Sequence, residues 1–298
     1  MKTVHGLKVA SSLDMPELID APDLGGLPDL KIQAGQIPND LEPWDQRDPD
    51  NLQIFIKVPG VLSMLVENGK SITYAPEKGV PEDEIRLFLL GSGLGALLMQ
   101  RGFLVVHGNA VVPKGRYDAL LCVGESGAGK STTAIAMLQR GHQILADDVA
   151  PIDAHGFVHP GMARAKLWQK TADKLGIDTT RLARIRAQDD KFNLPLGAAH
   201  ATTPTRLSAI FCLSPDPNHK GKPKVEEVTG VAKFVTLRNN LYRPEQLRIM
   251  RLEAGLLGRL TALADQTPVY RVSRSLDGFE IDALLDALLD TNEATRHG

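Results

Sequence analysis

The sequence predicts a mixed α/β domain over residues 83–298, preceded by a smaller, mainly β module over residues 1–82. Three observations support this fold class. Short apolar runs of strand length alternate with helical patterns through residues 103–289. A glycine-rich stretch at residues 124–131 connects one such strand to a helix. In the first 82 residues, strand candidates and an Asn-Gly turn outweigh helical patterns.

The N-terminal module is predicted from strand candidates at residues 1–13, 52–58 and 61–66. Asn68-Gly69 is a hairpin signal before a further strand at residues 71–74. The segment between the first two candidates is rich in proline and acidic residues, which is typical of a loop lying across the surface. The pattern leaves open whether this module recognises an acceptor or forms a dimer.

A buried helix is predicted over residues 81–100. Pro81 and the three acidic residues after it are typical of a helix start, because acidic side chains suit the positive first turn. The apolar run at 87–99 is shorter than the roughly 20 residues that a membrane helix needs. Strands are expected at 103–106 and 110–112, on either side of His107-Gly108.

The stretch GESGAGKS fits the P-loop pattern G-x-x-x-x-G-K-[ST]. An apolar strand at 119–123 enters it and a helix leaves it near Lys130, which is the context that the motif requires. Its three glycines allow the backbone to approach a polyphosphate, so that successive N–H groups point at the phosphate oxygens. The residues predicted to bind a nucleotide are Gly124, Glu125, Ser126, Gly127, Ala128, Gly129, Lys130, Ser131 and Thr132.

Two side chains of this stretch have expected tasks. Lys130 is expected to neutralise phosphate charge, and Ser131 to offer its hydroxyl to Mg²⁺. The positive end of the helix dipole favours the same anion. The alternative is a glycine-rich turn that contains Lys-Ser by chance.

A pair of carboxylates follows the P-loop helix. The helical pattern stops at Gly141, the apolar run 143–146 predicts a buried strand, and Asp147 and Asp148 come at its end. Phosphoryl transfer to a hydroxyl requires one carboxylate near the metal and another that accepts the proton of the nucleophile. We expect the pair to divide these tasks, with Asp147 in the metal shell. The alternative is that one of them caps a turn.

The run GESGAGKSTTAIAMLQRGHQILADD resembles the catalytic core of the HPr kinase/phosphorylase family, one of the phosphoenolpyruvate-carboxykinase-like P-loop enzymes. The resemblance rests on the P-loop, on Arg140-Gly141-His142, on Ala146-Asp147-Asp148 and on His107-Gly108 before the loop. It implies a phosphoenolpyruvate-carboxykinase-like P-loop fold with a mixed sheet, and ATP and Mg²⁺ as cofactors. It also implies that Asp148 takes the proton from an acceptor serine, that His107 is an active-site histidine, and that Lys130 and Ser131 keep their roles.

The region after the aspartate pair departs from the family's pattern. The family's glutamate motif, which helps to hold Mg²⁺, is absent, and the corresponding region reads HPGMARAKLWQKTADKLG. This phrasing resembles shorter HPr-kinase-related proteins, including the serine kinases of lasso-peptide precursors, so we expect an acceptor other than HPr. Arg164 and Lys166 are candidates to meet the terminal phosphate or the acceptor; an exposed basic turn is the alternative. Trp168 either stacks on adenine or packs in the core.

The rest of the chain is predicted to complete the α/β scaffold. Strands are expected at 207–213, 224–229 and 269–273, and helices at 169–175, 231–240, 245–265 and 279–289. The tail at 291–298 is predicted to be disordered.

The composition excludes several classes of partner. The chain has 298 residues, of which 43% are hydrophobic and 23% charged, as expected of a globular protein that buries a full core. Its net charge of −2 provides no field for nucleic acid, and no basic cluster indicates a membrane. Cys122 and Cys212 lie in apolar runs, which suits a reducing, cytoplasmic setting. The histidines do not fall at metal-ligand spacing, so no zinc site is expected.

These patterns favour an ATP-dependent serine kinase that acts on a protein or peptide acceptor, as a homo-oligomer, with Asp148 as base and His107 orienting the reacting groups. Two alternatives remain open. The same machinery could act on a small hydroxylated metabolite such as free serine, which a small closed pocket would favour over an open groove beside Asp148. A non-catalytic ATP-binding regulator is the other alternative, and the missing glutamate is its main support.

Overall fold

A seven-stranded mixed sheet occupies the N-terminal part of the chain. The computed structural model describes residues 1–21, 25–38, 41, 52–186, 188–275 and 280–297. The strands are β1 Lys2–Val4, β2 Leu7–Ser11, β3 Ile19–Asp20, β4 Leu30–Ala34, β5 Gln53–Val58, β6 Leu62–Glu67 and β7 Ser71–Pro76. They lie in the order β3-β1-β2-β4-β7-β6-β5, so the mainly β character predicted for this part is observed.

Two predictions for this sheet are wrong in detail. The single strand expected at 1–13 is a hairpin, because His5 and Gly6 have positive φ angles of 51° and 77° and turn β1 into β2. The proline-rich segment contributes β4, which runs parallel to both β2 and β7. Its buried residues Leu30 and Ile32 alternate with exposed ones over too few positions to stand out in the sequence. Other parts of that segment, 22–24, 39–40 and 42–51, lie outside the described residues.

The hairpin signal and the buried helix are confirmed. Asn68 and Gly69, with φ angles of 53° and 65°, turn β6 into β7. The helix runs as α1 Glu82–Phe88, a π-helical turn at Leu89–Gly93, and α2 Leu94–Gln100. It packs between β6 and β7 on one side and the first strand of the second sheet on the other. One continuous apolar cluster includes residues of both sheets, so the predicted boundary at residue 82 is not a break in the core.

The second sheet has nine strands and belongs to the predicted catalytic part. The strands of this part are β8 Leu104–His107, β9 Asn109–Val112, β10 Asp118–Val123, β11 Gln143–Ala146, β12 Val149–Ile152, β13 Phe157–Val158, β14 Arg164–Trp168, β15 Lys191–Pro195, β16 Thr205–Pro215, β17 Lys224–Glu227 and β18 Val269–Arg274. Seven of them lie in the order β11-β9-β10-β16-β13-β12-β8, with β18 added to β16 and β17 to β18. Strands β14 and β15 form a separate antiparallel pair.

The helices of this part cover the faces of the sheet. They are α3 Lys130–Gln139, α4 Gln169–Leu175, α5 Gly230–Asn239, α6 Pro244–Ile249, α7 Glu253–Gln266 and α8 Ile281–His297, with a 3-10 turn at Gly197–Ala199. The mixed α/β class predicted from the sequence is therefore confirmed. In the described residues, no helix is both long and apolar enough to serve as a membrane span.

The chain crosses from one half of the second sheet to the other at two neighbouring points. Strand β8 pairs with β12, whereas β9, only one residue further on, pairs with β10 and β11. The link is Gly108, where a Cβ atom would lie 2.7 Å from the carbonyl oxygen of Cys122. Asp147 and Asp148 make the second crossing, from β11 to β12, and Asp148 has a φ of 70°. His107 and the aspartate pair therefore lie close together, at the two points where the chain passes from one half of the sheet to the other.

The P-loop strand and the helix that follows it are held by distant parts of the chain. Strand β10 pairs with β9 on one side and runs parallel to β16 on the other. At the end of α3, the guanidinium of Arg140 donates to Asp282 at 2.6 Å and to Asp286 at 2.5 Å, both on α8. These contacts hold the C-terminal end of α3 against α8.

Two C-terminal predictions are wrong. The helix expected at 245–265 is broken between α6 and α7, where Arg251 has a left-handed φ of 55°. Residues 291–297 of the tail expected to be disordered continue α8, and residue 298 lies outside the described residues. This part of α8 is held because Asn292 is fully buried and accepts a hydrogen bond from the Ser208 hydroxyl at 2.8 Å.

Candidate active site

The P-loop has the backbone conformation that its glycines predict. Gly124, Gly127 and Gly129 have φ angles of 139°, 84° and 101°, in the region that side chains disfavour. A Cβ at Gly124 would lie 2.6 Å from the carbonyl oxygen of Leu213. Helix α3 begins directly after Gly129, so its N-terminal amides lie at the end of the loop. These angles allow the tight turn that the motif predicts, and phosphate binding by the loop stays a prediction.

Lys130 is buried and folds back onto the start of the loop. Its ammonium donates to the carbonyl oxygens of Gly124 at 2.7 Å and Glu125 at 3.0 Å. Because an ammonium has three N–H donors, one remains for a ligand. Burial lowers the pKa of Lys130, and the negative charge of Asp148 opposes that shift.

Two residues distant in sequence hold the P-loop from outside. The side-chain oxygen of Asn240 accepts from the Gly124 amide at 2.8 Å, and its own amide donates to the carbonyl of Thr236 at 2.8 Å. The carbonyl of Asn240 accepts from the His107 amide at 2.8 Å, so one residue connects the loop with the His107 strand. The guanidinium of Arg274 donates to the Ala128 carbonyl at 2.8 Å. Neither Asn240 nor Arg274 carries a sequence signal of this role.

Asp148 has two close partners, His107 and Lys166. One carboxylate oxygen lies 2.5 Å from the Lys166 ammonium, and the other lies 3.3 Å from Nδ1 of His107. The same Nδ1 lies 3.1 Å from the backbone carbonyl of Asp148. A carbonyl can only accept, so this contact requires the imidazole proton on Nδ1 and leaves a lone pair on Nε2. The structure thus brings together the predicted base, the predicted histidine and one of the two candidate cations.

The charges of this group favour an ionised Asp148 beside a neutral imidazole. Burial raises the pKa of Asp148, but the Lys166 ammonium and its hydrogen bond, with help from His107 and Lys191, outweigh burial and lower it to about 2. Burial lowers the pKa of His107 and outweighs the opposing effect of Asp148. Asp148 is therefore ionised at neutral pH, while His107 carries no charge.

Asp147 is turned into the protein. Its carboxylate accepts hydrogen bonds from the Asn109 side-chain amide and, at 2.7 Å, from the Lys166 backbone amide. Burial raises the pKa of Asp147, and the charge of Asp148 adds to that shift. Each oxygen thus accepts one hydrogen bond, which ties β14 to β9, and Asp147 lines neither of the cavities described below. Within the described residues, no group of three or more His, Cys, Asp or Glu side chains is arranged to hold a metal ion.

Two cavities meet at Asp148. The helix-side cavity, of about 820 Å³, is lined by the end of the P-loop and the start of α3, by 168–171 and by 188–191. The loop-side cavity, of about 1020 Å³, is lined by the start of the P-loop, by 212–217 and by 239–245. Both are lined by His107, Ser126 and Asp148. Ser131 and Thr132, predicted to contact metal and nucleotide, line the helix-side cavity.

Trp168 and Arg164, the remaining candidates of the HPGMARAKLW region, lie at different cavities. Trp168 is 48% exposed on the wall of the helix-side cavity, so it is not a core residue, and the Lys191 ammonium lies 4.7 Å from its ring centroid. Arg164 is buried instead, and its guanidinium donates to the Asn193 side chain. It lines a third cavity, of about 610 Å³, shared with the N-terminal module. The exposed basic turn considered from the sequence is therefore wrong for Arg164 and Lys166.

Comparison with known proteins relates part of this chain to one family. No family model matches the chain. Over 49 residues it is 45% identical to the HPr kinase/phosphorylase of Caldanaerobacter subterraneus subsp. tengcongensis; the match spans 16% of this chain and only 15% of that relative. The solved HPr(Ser) kinase/phosphatase from Coxiella burnetii aligns with 65% of this chain and 99% of its own, at 14% identity and a TM-score of 0.32. A TM-score this low does not establish a shared fold, so the phosphoenolpyruvate-carboxykinase-like fold stays a prediction.

Proposed function

We propose that this chain is an ATP- and Mg²⁺-dependent kinase that phosphorylates a serine hydroxyl on a protein or peptide. The observation that carries the proposal is the position of Asp148, which lines both cavities on the two sides of one P-loop. A phosphoryl transfer requires donor and acceptor to meet at the group that takes the proton. The local likeness to HPr kinase/phosphorylase supports the same chemistry.

The helix-side cavity suits the donor. It contains the N-terminal turn of α3 and the P-loop residues Ser126, Gly127 and Gly129, where backbone amides and the helix dipole favour phosphate. The half-exposed ring of Trp168 offers an apolar surface for a purine. Ser131 would hold Mg²⁺ together with phosphate oxygens, and the ion would neutralise charge on the transferred group. Asp147 is not assigned to the metal, because its side chain is buried and lines neither cavity.

The loop-side cavity suits a polypeptide acceptor. Its volume of about 1020 Å³ lies at the upper end of small-ligand pockets, which span roughly 300–1,000 Å³. Its wall includes the exposed residues Asn239, Arg243 and Glu245, so a longer chain can enter and leave. A kinase for free serine would instead be expected to enclose its small substrate. The open cavity beside Asp148 therefore favours the protein or peptide acceptor.

The residues of the site divide the reaction between them. The serine oxygen attacks the terminal phosphorus of ATP, Asp148 accepts the serine proton, and the bond between that phosphorus and the bridging oxygen breaks, leaving phosphoserine and ADP. Lys130 neutralises phosphate charge with its remaining N–H donor. His107 holds Asp148 through Nδ1 and presents Nε2 as an acceptor.

The test uses the purified chain, Mg²⁺, ATP labelled at the terminal phosphate, and lysate as the source of acceptor. We expect label in a protein band, on serine by mass spectrometry, which disappears with Asp148→Asn. Label only in small molecules would favour the metabolite kinase. Nucleotide binding without any transfer would favour the regulator and refute the kinase. Lys130→Met serves as the control that should weaken nucleotide binding itself.

A further inference from the structure

The antiparallel pair of β14 and β15 places two lysines close to Asp148. Lys191 lines the helix-side cavity, whereas Lys166 does not line it but holds its ammonium 2.5 Å from the Asp148 carboxylate, which does. Lys166 lies on β14, and Lys191 is the β15 residue paired with Trp168. Burial lowers the pKa of Lys191, and the charge of Lys166 adds to that shift; burial also lowers the pKa of Lys130, and the charge of Lys191 adds to it. Like charges gathered in one partly buried place destabilise each other unless an anion joins them. Asp148 is the carboxylate that interacts with both Lys166 and Lys191, and it lines the helix-side cavity.

The contact between Lys166 and Asp148 conflicts with the role of Asp148 as base. The two groups lie 2.5 Å apart, with side chains only 15% and 27% exposed. A carboxylate oxygen that is occupied by an ammonium is a poor proton acceptor, because protonation would break the ion pair. The ammonium therefore has to leave before Asp148 can act on a serine hydroxyl.

The stem of Lys166 allows such a movement. A lysine carries its charge on four flexible carbons, so the ammonium can change partner while the backbone stays in place. The backbone of Lys166 is fixed, because its amide donates to Asp147 at 2.7 Å. Lys191 is held differently, over the ring of Trp168 at 4.7 Å. One cation is thus free to exchange a carboxylate for a phosphate, while the other stays on the wall.

We propose that Lys166 and Lys191 form a second phosphate subsite facing the P-loop, and that Lys166 moves from Asp148 to the terminal phosphate of the bound nucleotide. This inference rests on the proposed function, because it assigns the nucleotide to the helix-side cavity. The region that lacks the family's metal-binding glutamate would then contribute positive charge to the phosphate through its lysines, instead of holding a metal ion. Donor binding would then be the event that frees Asp148 for the acceptor.

The first test measures affinity by calorimetry for Mg²⁺ complexes of ADP and of a non-hydrolysable ATP analogue. Lys166→Met should weaken binding of the analogue on the order of tenfold, as expected for one charge-assisted hydrogen bond, and leave ADP within about twofold. Lys191→Met should weaken the analogue several-fold, and Lys166→Arg should recover part of the loss. Lys174→Met is the matched control, since Lys174 is an exposed lysine of the adjacent α4 that lines neither cavity.

The second test is a double-mutant cycle that follows the exchange of partners. If Lys166 leaves Asp148 for the phosphate, Asp148→Asn removes a competitor and should tighten binding of the analogue more in the Lys166 protein than in Lys166→Met. If Lys166 stays on Asp148, the order reverses, because the unpaired carboxylate of Lys166→Met then repels the phosphate more strongly. A larger gain in the Lys166→Met background would therefore overturn the proposal.

The outcomes separate this proposal from the function on which it rests. Absence of nucleotide binding by the unmodified chain would refute the proposed function. Binding and transfer by the unmodified chain, with Lys166→Met and Lys174→Met equal in affinity, would refute the phosphate subsite alone. Melting curves and far-ultraviolet circular dichroism of each variant establish that it is folded, and Lys166→Arg gives a folded variant that keeps the charge.

Discussion

Replacing Asn240 by alanine tests whether the P-loop is positioned from outside. The substitution removes the acceptor of the Gly124 amide and the donor to the Thr236 carbonyl, both at 2.8 Å. It leaves the backbone carbonyl of Asn240, which accepts from His107, in place. The change therefore removes side-chain contacts at the end of α5, including the one to the start of the loop, while the link to the His107 strand stays.

The expected magnitude follows from these two bonds. Gly124 is buried, and its amide would lose its hydrogen-bond partner, at a cost of about 1–3 kcal/mol. The second bond contributes about 0.5–1.5 kcal/mol. The free energy of unfolding should fall by about 1.5–4.5 kcal/mol in total, which lowers the melting temperature of a chain of this length by roughly 2–7 °C. Nucleotide affinity should fall as well, because binding must then also order the loop.

The assay is a melting curve with and without Mg²⁺ and ADP, supported by calorimetric affinities. Asn240→Asp keeps an oxygen for Gly124 and should melt closer to the unmodified chain, but its charge should still weaken nucleotide binding. Asn239→Ala is the matched control, because Asn239 is the exposed neighbour on the same helix. Asn240→Ala with an unchanged melting temperature and an unchanged affinity would refute the argument that Asn240 holds the loop.

Three further predictions concern the crossings and the N-terminal turn. Gly108→Ala should lower the free energy of unfolding in urea by about 1–3 kcal/mol, because its Cβ would meet the Cys122 carbonyl. Gly258→Ala is the control, since there is open space around its Cβ. Equal stabilities of the two variants would contradict the close approach at Gly108. Asp148→Asn should lower phosphotransfer by about 10²–10⁴-fold while Mg²⁺–ADP still binds, as measured by single-turnover transfer and calorimetry; full activity would exclude Asp148 as base. Burial lowers the pKa of His5 from 6.5 to about 3, so the unfolded chain takes up a proton that the folded chain excludes. The contribution of His5 to the free energy of unfolding should be fully present above pH 6.5 and should decline as the pH falls toward 3. His5→Asn should flatten that decline in unfolding experiments across this range, because asparagine tolerates the left-handed backbone at this position. An unchanged slope would contradict the prediction.

The sequence carried the features that depend on neighbouring residues. The P-loop, the strand Gln143–Ala146 and the helix Gln169–Leu175 were predictable, because a motif or a run of apolar residues specifies each of them locally. The proximity of His107 to Asp148 followed only from the family resemblance. Its physical basis is the double crossing at Gly108 and the aspartate pair, which periodicity does not reveal.

The features that could not be predicted depend on long-range contacts. Asn240 reaches Gly124 across 116 residues, and Arg274 reaches Ala128 across 146. No local pattern specifies such partners. The choice between a metal ligand and a brace for Asp147 likewise depends on Asn109, which comes from another strand. Single-residue breaks such as Arg251, with its positive φ, have no signal in the sequence, because arginine has a good helix propensity.

The parallel pairing of β10 with β16 and the clamp of Arg140 on α8 have a consequence for assembly. The strand that carries the P-loop completes its second edge only when residues as distant as Arg206 have docked, and the C-terminal end of α3 is tied to Asp282 and Asp286 near the end of the chain. Chains dominated by such non-local pairings fold slowly, because the entropy of loop closure is lost before the stabilising contacts form. A nucleotide that recognises only the completed loop stabilises the native state by mass action. Such a nucleotide would protect the folded protein against unfolding. It would not assist folding, because its binding site forms only after the distant strands have paired.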